Sequence, residues 1–230
     1  MTTDLRQAAA MLILVPTAHE HAVIAAELGP AARQAHRLEL IGFGPIAAAA
    51  RTAALLSAGR PSAVLLLGIA GSLDNRLAVG GAYWFQRVAC HGIGVGTGRE
   101  FLPAGELGWP QWPGDPAAGT AAVGDVLSLA LPVTGGKHDE PVGAGLLLSA
   151  CAASASAADA ATRREQCPAA MAEDMEGFAV ALACRLAGVP CQIIRGISNR
   201  AGDRDKANWQ VEPALRAAAD LARDQLRGVG

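Results

Sequence analysis

What most constrains the fold of this chain is a repeated alternation of short apolar runs with alanine-rich stretches that carry apolar positions at helical spacing. Met11–Val15 reads as a first strand, followed by a helix at Glu20–Leu28, a strand at Leu38–Phe43 and a helix at Ile46–Ala58. The pattern continues with strands at Ala63–Leu67 and Tyr83–Ala89, strand structure within Val123–Val133, and helices at Val142–Ala158 and Glu173–Ala187. A strand at Gln192–Ile197 and a helix at Pro213–Leu226 close the series. A strand that is apolar at every position must be covered on both faces, and intervening helices supply that cover. The expectation is an α/β layered domain around a mostly parallel or mixed sheet. At 230 residues, one domain over 1–230 is the default.

Composition removes several classes of function. The formal net charge is -2 with charged residues scattered along the chain, which leaves no basic footprint for nucleic acid. The five cysteines, Cys90, Cys151, Cys167, Cys184 and Cys191, form no C-x-x-C or Cys/His metal spacing, so they read as reduced core thiols of a cytoplasmic protein without a metal site. The apolar piece before Pro16 is too short for a membrane span and lacks a signal-peptide layout. GFGPIA has no third glycine where a dinucleotide fingerprint needs one, and neither a G-x-x-x-x-G-K-[ST] loop nor a G-x-S-x-G elbow occurs. Nucleotide cofactors and serine-hydrolase chemistry are therefore not expected.

Two segments carry the candidate chemistry, AEDMEGFAV (172–180) and RGISN (195–199). Glu176 falls in the first turn of its expected helix, where the dipole favours a carboxylate by ~0.3–1 kcal/mol. Capping alone explains such a residue, but the small Gly177, Ala179 and Ala181 around it leave room for a ligand. CQIIRGISN reads as a buried strand ending in Arg195, Ser198 and Asn199, and ligands of open α/β sheets gather at the carboxyl ends of strands. Arg195 lies inside the apolar run, and a buried guanidinium is costly unless paired. It either pairs with a structural carboxylate or orients a catalytic one. Glu20, in PTAHEHAV after the first strand, has the same capping alternative as Glu176. GIAGS (68–72) and IGFGPIAAA (41–49) are glycine turns after strands, where backbone can approach a ligand closely, and each is ambiguous alone. A carboxylate and an amide placed together suit a sugar diol and a flat heterocycle, which describes a nucleoside. The irregular stretch His91–Ala122, with Phe101, Trp109 and Trp112, reads as a substrate-covering or subunit-contacting loop.

Taken in order, strand–Glu20, GIAGS with its following LAVGGAY, DMEG and RGISN resemble the purine nucleosidase and nucleoside phosphorylase family over nearly the entire chain. The resemblance implies a central mixed, partly barrel-like sheet flanked by helices, no cofactor, and a symmetric homo-oligomer, a homodimer or larger. In the family's hydrolases, similar to methylthioadenosine/S-adenosylhomocysteine nucleosidase, the position of Glu20 activates water, Glu176 holds the ribose hydroxyls and Met175 packs on the sugar. Arg195 would position the water, with Ile69, Ala70, Gly71 and Ser198 beside the nucleoside. The reaction implied is dissociative cleavage of the N-glycosidic bond, in which carboxylates stabilise the positive charge that develops on the ribose.

Adenine-specific relatives carry aspartate where this chain has Asn199. An amide can donate to a 6-oxo group and accept from a protonated purine N7, and a mismatched buried donor or acceptor costs ~1–3 kcal/mol. Asn199 therefore tilts the expectation toward 6-oxopurine nucleosides, although an amide can flip. RGISNRAGDRDKANW (195–209) with DMEG looks most like the branch that releases hypoxanthine from a menaquinone-pathway nucleoside with a bulky aryl acid on its 5′ side. Trp209 matches a position lining that 5′ pocket, Phe101 is a neighbour for it, and Arg99 or Arg87 would meet the acid. The sequence departs from the family in having no aromatic residue within Ala152–Ala172 to stack on the base. Three rivals stand beside this reading. A phosphorylase would need arginines beside the glycine turns, whereas Arg51 lies well into a helix; an adenine-type nucleosidase is opposed by Asn199; and a non-catalytic nucleoside-binding or storage protein has no need of Glu20 with Glu176.

Overall fold

Strand β1 (Leu12–Val15) carries no polar position because both of its faces are covered. Leu12 and Leu14 pack into one hydrophobic layer, and Met11, Ile13 and Val15 into another on the opposite face. The first layer is completed by α2 (Pro45–Ala58) through Leu55 and Leu56, and by α4 (Gly177–Ala187) through Phe178 and Val180. The second is completed by α1 (Ala18–Ala35) through Ile24 and Leu28, and by α5 (Val211–Arg227) through Leu215, Ala218, Ala219, Ala222 and Leu226. The computed structural model describes residues 10–117, 119–132 and 143–227.

The sheet begins as a parallel unit in which β1 lies between β2 (Arg37–Leu40) and β3 (Val64–Ser72), with β10 (Cys191–Arg200) on the other edge of β3. From there it curls. β10 pairs antiparallel with β4 (Ala82–His91), β4 pairs in parallel with β8 (Gly143–Ala150), and β8 pairs in parallel with β9 (Ala170–Asp174). The end of β9 then returns to the end of β3, antiparallel, with Gly71 opposite Glu173. Strands β3, β10, β4, β8 and β9 thus close a ring, while β1 and β2 extend from it as an open wing. The glycine of RGISN has its reason here: a Cβ on Gly196 would strike the Ala214 carbonyl, so α5 rests directly on the β10 backbone.

Several sequence expectations are corrected. The helix expected at Val142–Ala158 is instead β8, with α3 only at Ala157–Gln166 after a Ser156 cap; Val142 lies outside the described residues. Leu146 and Leu148 pack with Ala160 of α3, whereas Leu147 enters the layer of Phe85 and Phe178. An Ala- and Leu-rich run that is apolar on both faces has no strand period, and its composition favours helix. The helix expected from Glu173 starts at Gly177, because Ala170–Asp174 completes the ring as β9. The strand expected at Leu38–Phe43 stops at Leu40, and α1 outruns Leu28 by a kink at Gly29 (φ 75°) and Pro30. Of Val123–Val133, only Val126–Ser128 is a strand, β7 on the edge of β4; Val133 lies outside the described residues. The His91–Ala122 stretch carries a two-stranded sheet of β5 (Gly94–Val95) and β6 (Leu102–Pro103), held to α3 by Arg99 and Glu165 at 3.1 Å.

Candidate active site

The carboxyl ends of β1, β3 and β10 and the end of β9 converge on a cavity of about 260 Å³. Glu20, Ile69, Ala70, Gly71, Met175, Glu176, Ser198, Asn199 and Trp209 all line it, so most of the residues singled out from the sequence are brought together.

Glu20 fills its helix-capping role and faces the cavity as well. Its Oε2 accepts from the Thr17 N–H (3.1 Å) and hydroxyl (2.6 Å) in a capping box at the start of α1. Its Oε1 accepts from the Ile69 N–H at 2.9 Å, which ties α1 to GIAGS, a segment that continues β3 to Ser72 instead of forming the expected turn after it. The residue is only 4% exposed. Three donors fix this carboxylate in one orientation at the cavity wall. Gly68 keeps the approach open, since a Cβ there would lie 2.8 Å from Glu20 Oε1 and would also strike Arg195 Nη1.

Glu176 occupies the N-cap position of α4 yet makes no side-chain capping bond. The first free amides are taken by other groups: Gly177 N–H donates to Asp174 (2.9 Å) and Phe178 N–H to the Ser149 hydroxyl (2.8 Å). Glu176 is thereby released to turn toward the cavity. Its Oε1 accepts from the Gly44 N–H at 2.9 Å, and its Oε2 lies 3.3 Å from Arg195 Nη2. Gly44, at φ 83°, is the backbone that IGFGPIAAA contributes, a conformation that a side chain disfavours.

Arg195 is fully buried, and both alternatives open for it are realised. Its Nε and Nη2 bind Asp174 at 3.0 and 2.5 Å, and the same Nη2 reaches Glu176. Nη1 finds no protein acceptor among the described residues and borders, with Glu20 Oε1, the space above Gly68. One guanidinium therefore faces Asp174, Glu176 and Glu20. Burial works against its charge, but the three carboxylates hold the Arg195 pKa above its ordinary value. Glu176 lies at the longer distance from this shared cation. Burial, with Asp174 and Glu20 nearby, pushes its pKa up to about 7 against the opposing pull of Arg195 and the Gly44 amide.

Strict alternation along β10 would point Ser198 and Asn199 to opposite faces. A register shift against β3 between Ile197 and Asn199 lets both border the cavity. Asn199 Oδ1 accepts from the Ser198 hydroxyl (2.8 Å), while its NH₂ donates to the carbonyls of Arg200 (2.8 Å) and Asp203 (3.4 Å). One oxygen lone pair and the weakly held N–H are what the amide can offer a base.

The structure does not bring Phe101 to the cavity; its ring packs against His91, with centroids 5.1 Å apart. Arg99 is held by Glu165 on α3, and Arg87 is exposed on β4, so neither lines the cavity. Sequence reasoning missed Asp174, Phe43 and Arg204. Asp174 stands in the same DMEG segment as Glu176, and a buried Arg195 called for such a partner. Phe43, within a glycine turn after a strand, and Trp209 are the aromatic side chains of the cavity wall, whereas Ala153 and Ser154 occupy the stretch that lacks aromatics. Arg204 lies beside Trp209 at the cavity.

A five-strand ring with an open parallel wing, flanked by helices and carrying its cavity at the strand ends, is a nucleoside phosphorylase-like α/β architecture. The family model of the phosphorylase superfamily matches residues 3–228, and the chain belongs to that superfamily. It is 36% identical over 184 residues to futalosine hydrolase of Streptomyces coelicolor, covering 78% of this chain and 73% of that protein. It is 29% identical over 202 residues to 5′-methylthioadenosine/S-adenosylhomocysteine nucleosidase of Chromohalobacter salexigens, covering 85% and 82%. The native structure of futalosine hydrolase of Helicobacter pylori superposes with a TM-score of 0.71 at 16% identity, over 95% of this chain and 97% of that one, a likeness of fold.

Proposed function

We propose that this chain is an N-glycosyl hydrolase that cleaves futalosine to hypoxanthine and dehypoxanthine futalosine, a step of menaquinone biosynthesis. The observation that carries the reading is the placement of Glu20 and Glu176, both buried, on one cavity with Arg195 shared behind them. Glu20 would take a proton from water as the C1′–N9 bond breaks. Glu176 would accept from the 2′- and 3′-hydroxyls in charge-assisted hydrogen bonds, with Met175 against the sugar. Both carboxylates lower the energy of a cationic ribose more than that of the neutral nucleoside. As the base leaves, N7 would take a proton from solvent and donate it in a hydrogen bond to Asn199 Oδ1, and the N–H now at 3.4 Å from the Asp203 carbonyl would turn to the 6-oxo group.

Water is favoured over phosphate as nucleophile because the inner cavity is crowded with carboxylates. Arg195 commits its Nε and Nη2 to Asp174 and Glu176 and leaves Nη1 beside Glu20 Oε1, whose charge repels a phosphate, and Arg51 pairs with Glu39 at 3.3 Å on the surface. Futalosine, inosine and methylthioadenosine incubated with the protein are expected to lose their bases in that order of rate. A clear preference for adenine release would sink the 6-oxopurine assignment.

The pKa of Glu176 gives a pH prediction. A carboxylate raised to about 7 is mostly protonated below that value and then cannot accept from both ribose hydroxyls. The kcat/KM for base release should therefore rise as pH increases through about 7. A profile that is flat down to pH 5 would remove Glu176 from this role.

We further read the chain as one domain, cytoplasmic and a symmetric homo-oligomer. Phe43 and Ile46, 68% and 86% exposed beside the cavity and at the start of α2, support association; sedimentation at a single monomer mass would refute it.

A further inference from the structure

The cavity is electrically polarised. Its buried end holds four carboxylates, Glu20, Glu173, Asp174 and Glu176, against two guanidiniums, Arg195 on Asp174 and Glu176 and Arg163 on Glu173, whereas Arg204 stands exposed among its lining residues. The Arg204 guanidinium lies over the Trp209 ring, 5.1 Å from its centroid, and the ring is itself fixed by an indole N–H bond to the Asp203 carbonyl at 3.0 Å. Acidic residues flank Arg204 on both sides, yet neither pairs with it. The Asp203 carboxylate accepts from the Asp205 N–H (2.9 Å) and the Asn208 amide (3.0 Å), and Asp205 caps the next turn through the Ala207 N–H (3.0 Å). The guanidinium is thus oriented by an aromatic face while its fork of donors makes no ion pair among the described residues. Such a fork matches a carboxylate in bidentate geometry.

We propose that Arg204 is a specificity-determining residue that recognises a carboxylate at the far end of an apolar arm on the 5′ side of the nucleoside. This rests on the hydrolase reading, which seats the sugar at the buried carboxylates and so directs the 5′ arm toward Trp209 and the cavity mouth. Phe43 and Trp209 supply apolar walls for the arm. The same polarity disfavours the reverse pose, in which the anion would meet the acidic end.

The test uses a carbon-linked 6-oxopurine nucleoside, which cannot be hydrolysed, carrying a 5′ aryl carboxylate, and its neutral methyl ester. Calorimetric affinities of the wild-type protein should favour the carboxylate about tenfold at low salt, less as salt screens an exposed charge. In Arg204→Gln the ratio should fall close to one, and Arg204→Lys should restore part of it. An unchanged ratio in Arg204→Gln, or no preference in the wild type, overturns the proposal. Hypoxanthine release from the nitrogen-linked carboxylate nucleoside is measured in parallel on the wild type. If none is released while the binding ratio still responds to Arg204, the hydrolase reading fails and the Arg204 assignment stands.

Discussion

Glu20→Gln is expected to lower kcat for base release by about 10²- to 10⁴-fold, the range for losing a positioned general base. The substitution keeps the shape of the side chain and an acceptor oxygen for the Ile69 amide or the Thr17 cap. What it removes is the negative charge beside the breaking bond and the site that takes the proton from water. The cost to stability should stay near that of a weakened cap, about 1 kcal/mol. Activity and stability therefore separate: thermal unfolding should change little while turnover collapses. Full activity in Glu20→Gln would reduce the residue to its capping role.

Arg195→Met should destabilise the protein by about 3–5 kcal/mol, the range for breaking a buried ion pair from one side. Asp174, Glu176 and Glu20 would then face one another without the cation that now holds Asp174 by two hydrogen bonds. The pH dependence has a definite sign. Losing the Arg195 cation removes a pull that lowers the Glu176 pKa, already raised by burial, so the native state binds more protons than the unfolded chain, and stability falls as pH rises. The difference between wild type and Arg195→Met should be larger at pH 8 than at pH 5, where protonation relieves the repulsion. Arg195→Lys retains a charge and should lose less. Chemical denaturation that finds a loss below about 1 kcal/mol, independent of pH, would show that Arg195 does not neutralise this cluster.

Much of the frame was legible because burial leaves a pattern. The runs LILV of β1 and VLLL of β3 are apolar at every position, which requires cover on both faces, and the α5 stripe has helical spacing. β8 was not legible for the same reason: Leu146, Leu147 and Leu148 are buried in two different layers, and a doubly covered strand rich in Leu and Ala has no period to distinguish it from helix. In the candidate site, Glu20, Glu176, Arg195 and Asn199 stood out because polar groups bordering apolar runs need a reason. Asp174 escaped because its task depends on Ser149 and Arg195, which are remote in sequence. Phe101 was misplaced because a loop rich in Gly and Pro does not encode which face it rests on; the contacts with α3 decide that.

The most direct measurement is hypoxanthine release from a 6-oxopurine nucleoside in phosphate-free buffer, repeated with added phosphate, with the sugar product identified each time. Water attack at a cavity crowded with carboxylates predicts the same rate in both buffers and a free reducing sugar. Release that appears only with phosphate, together with a sugar 1-phosphate, would contradict it.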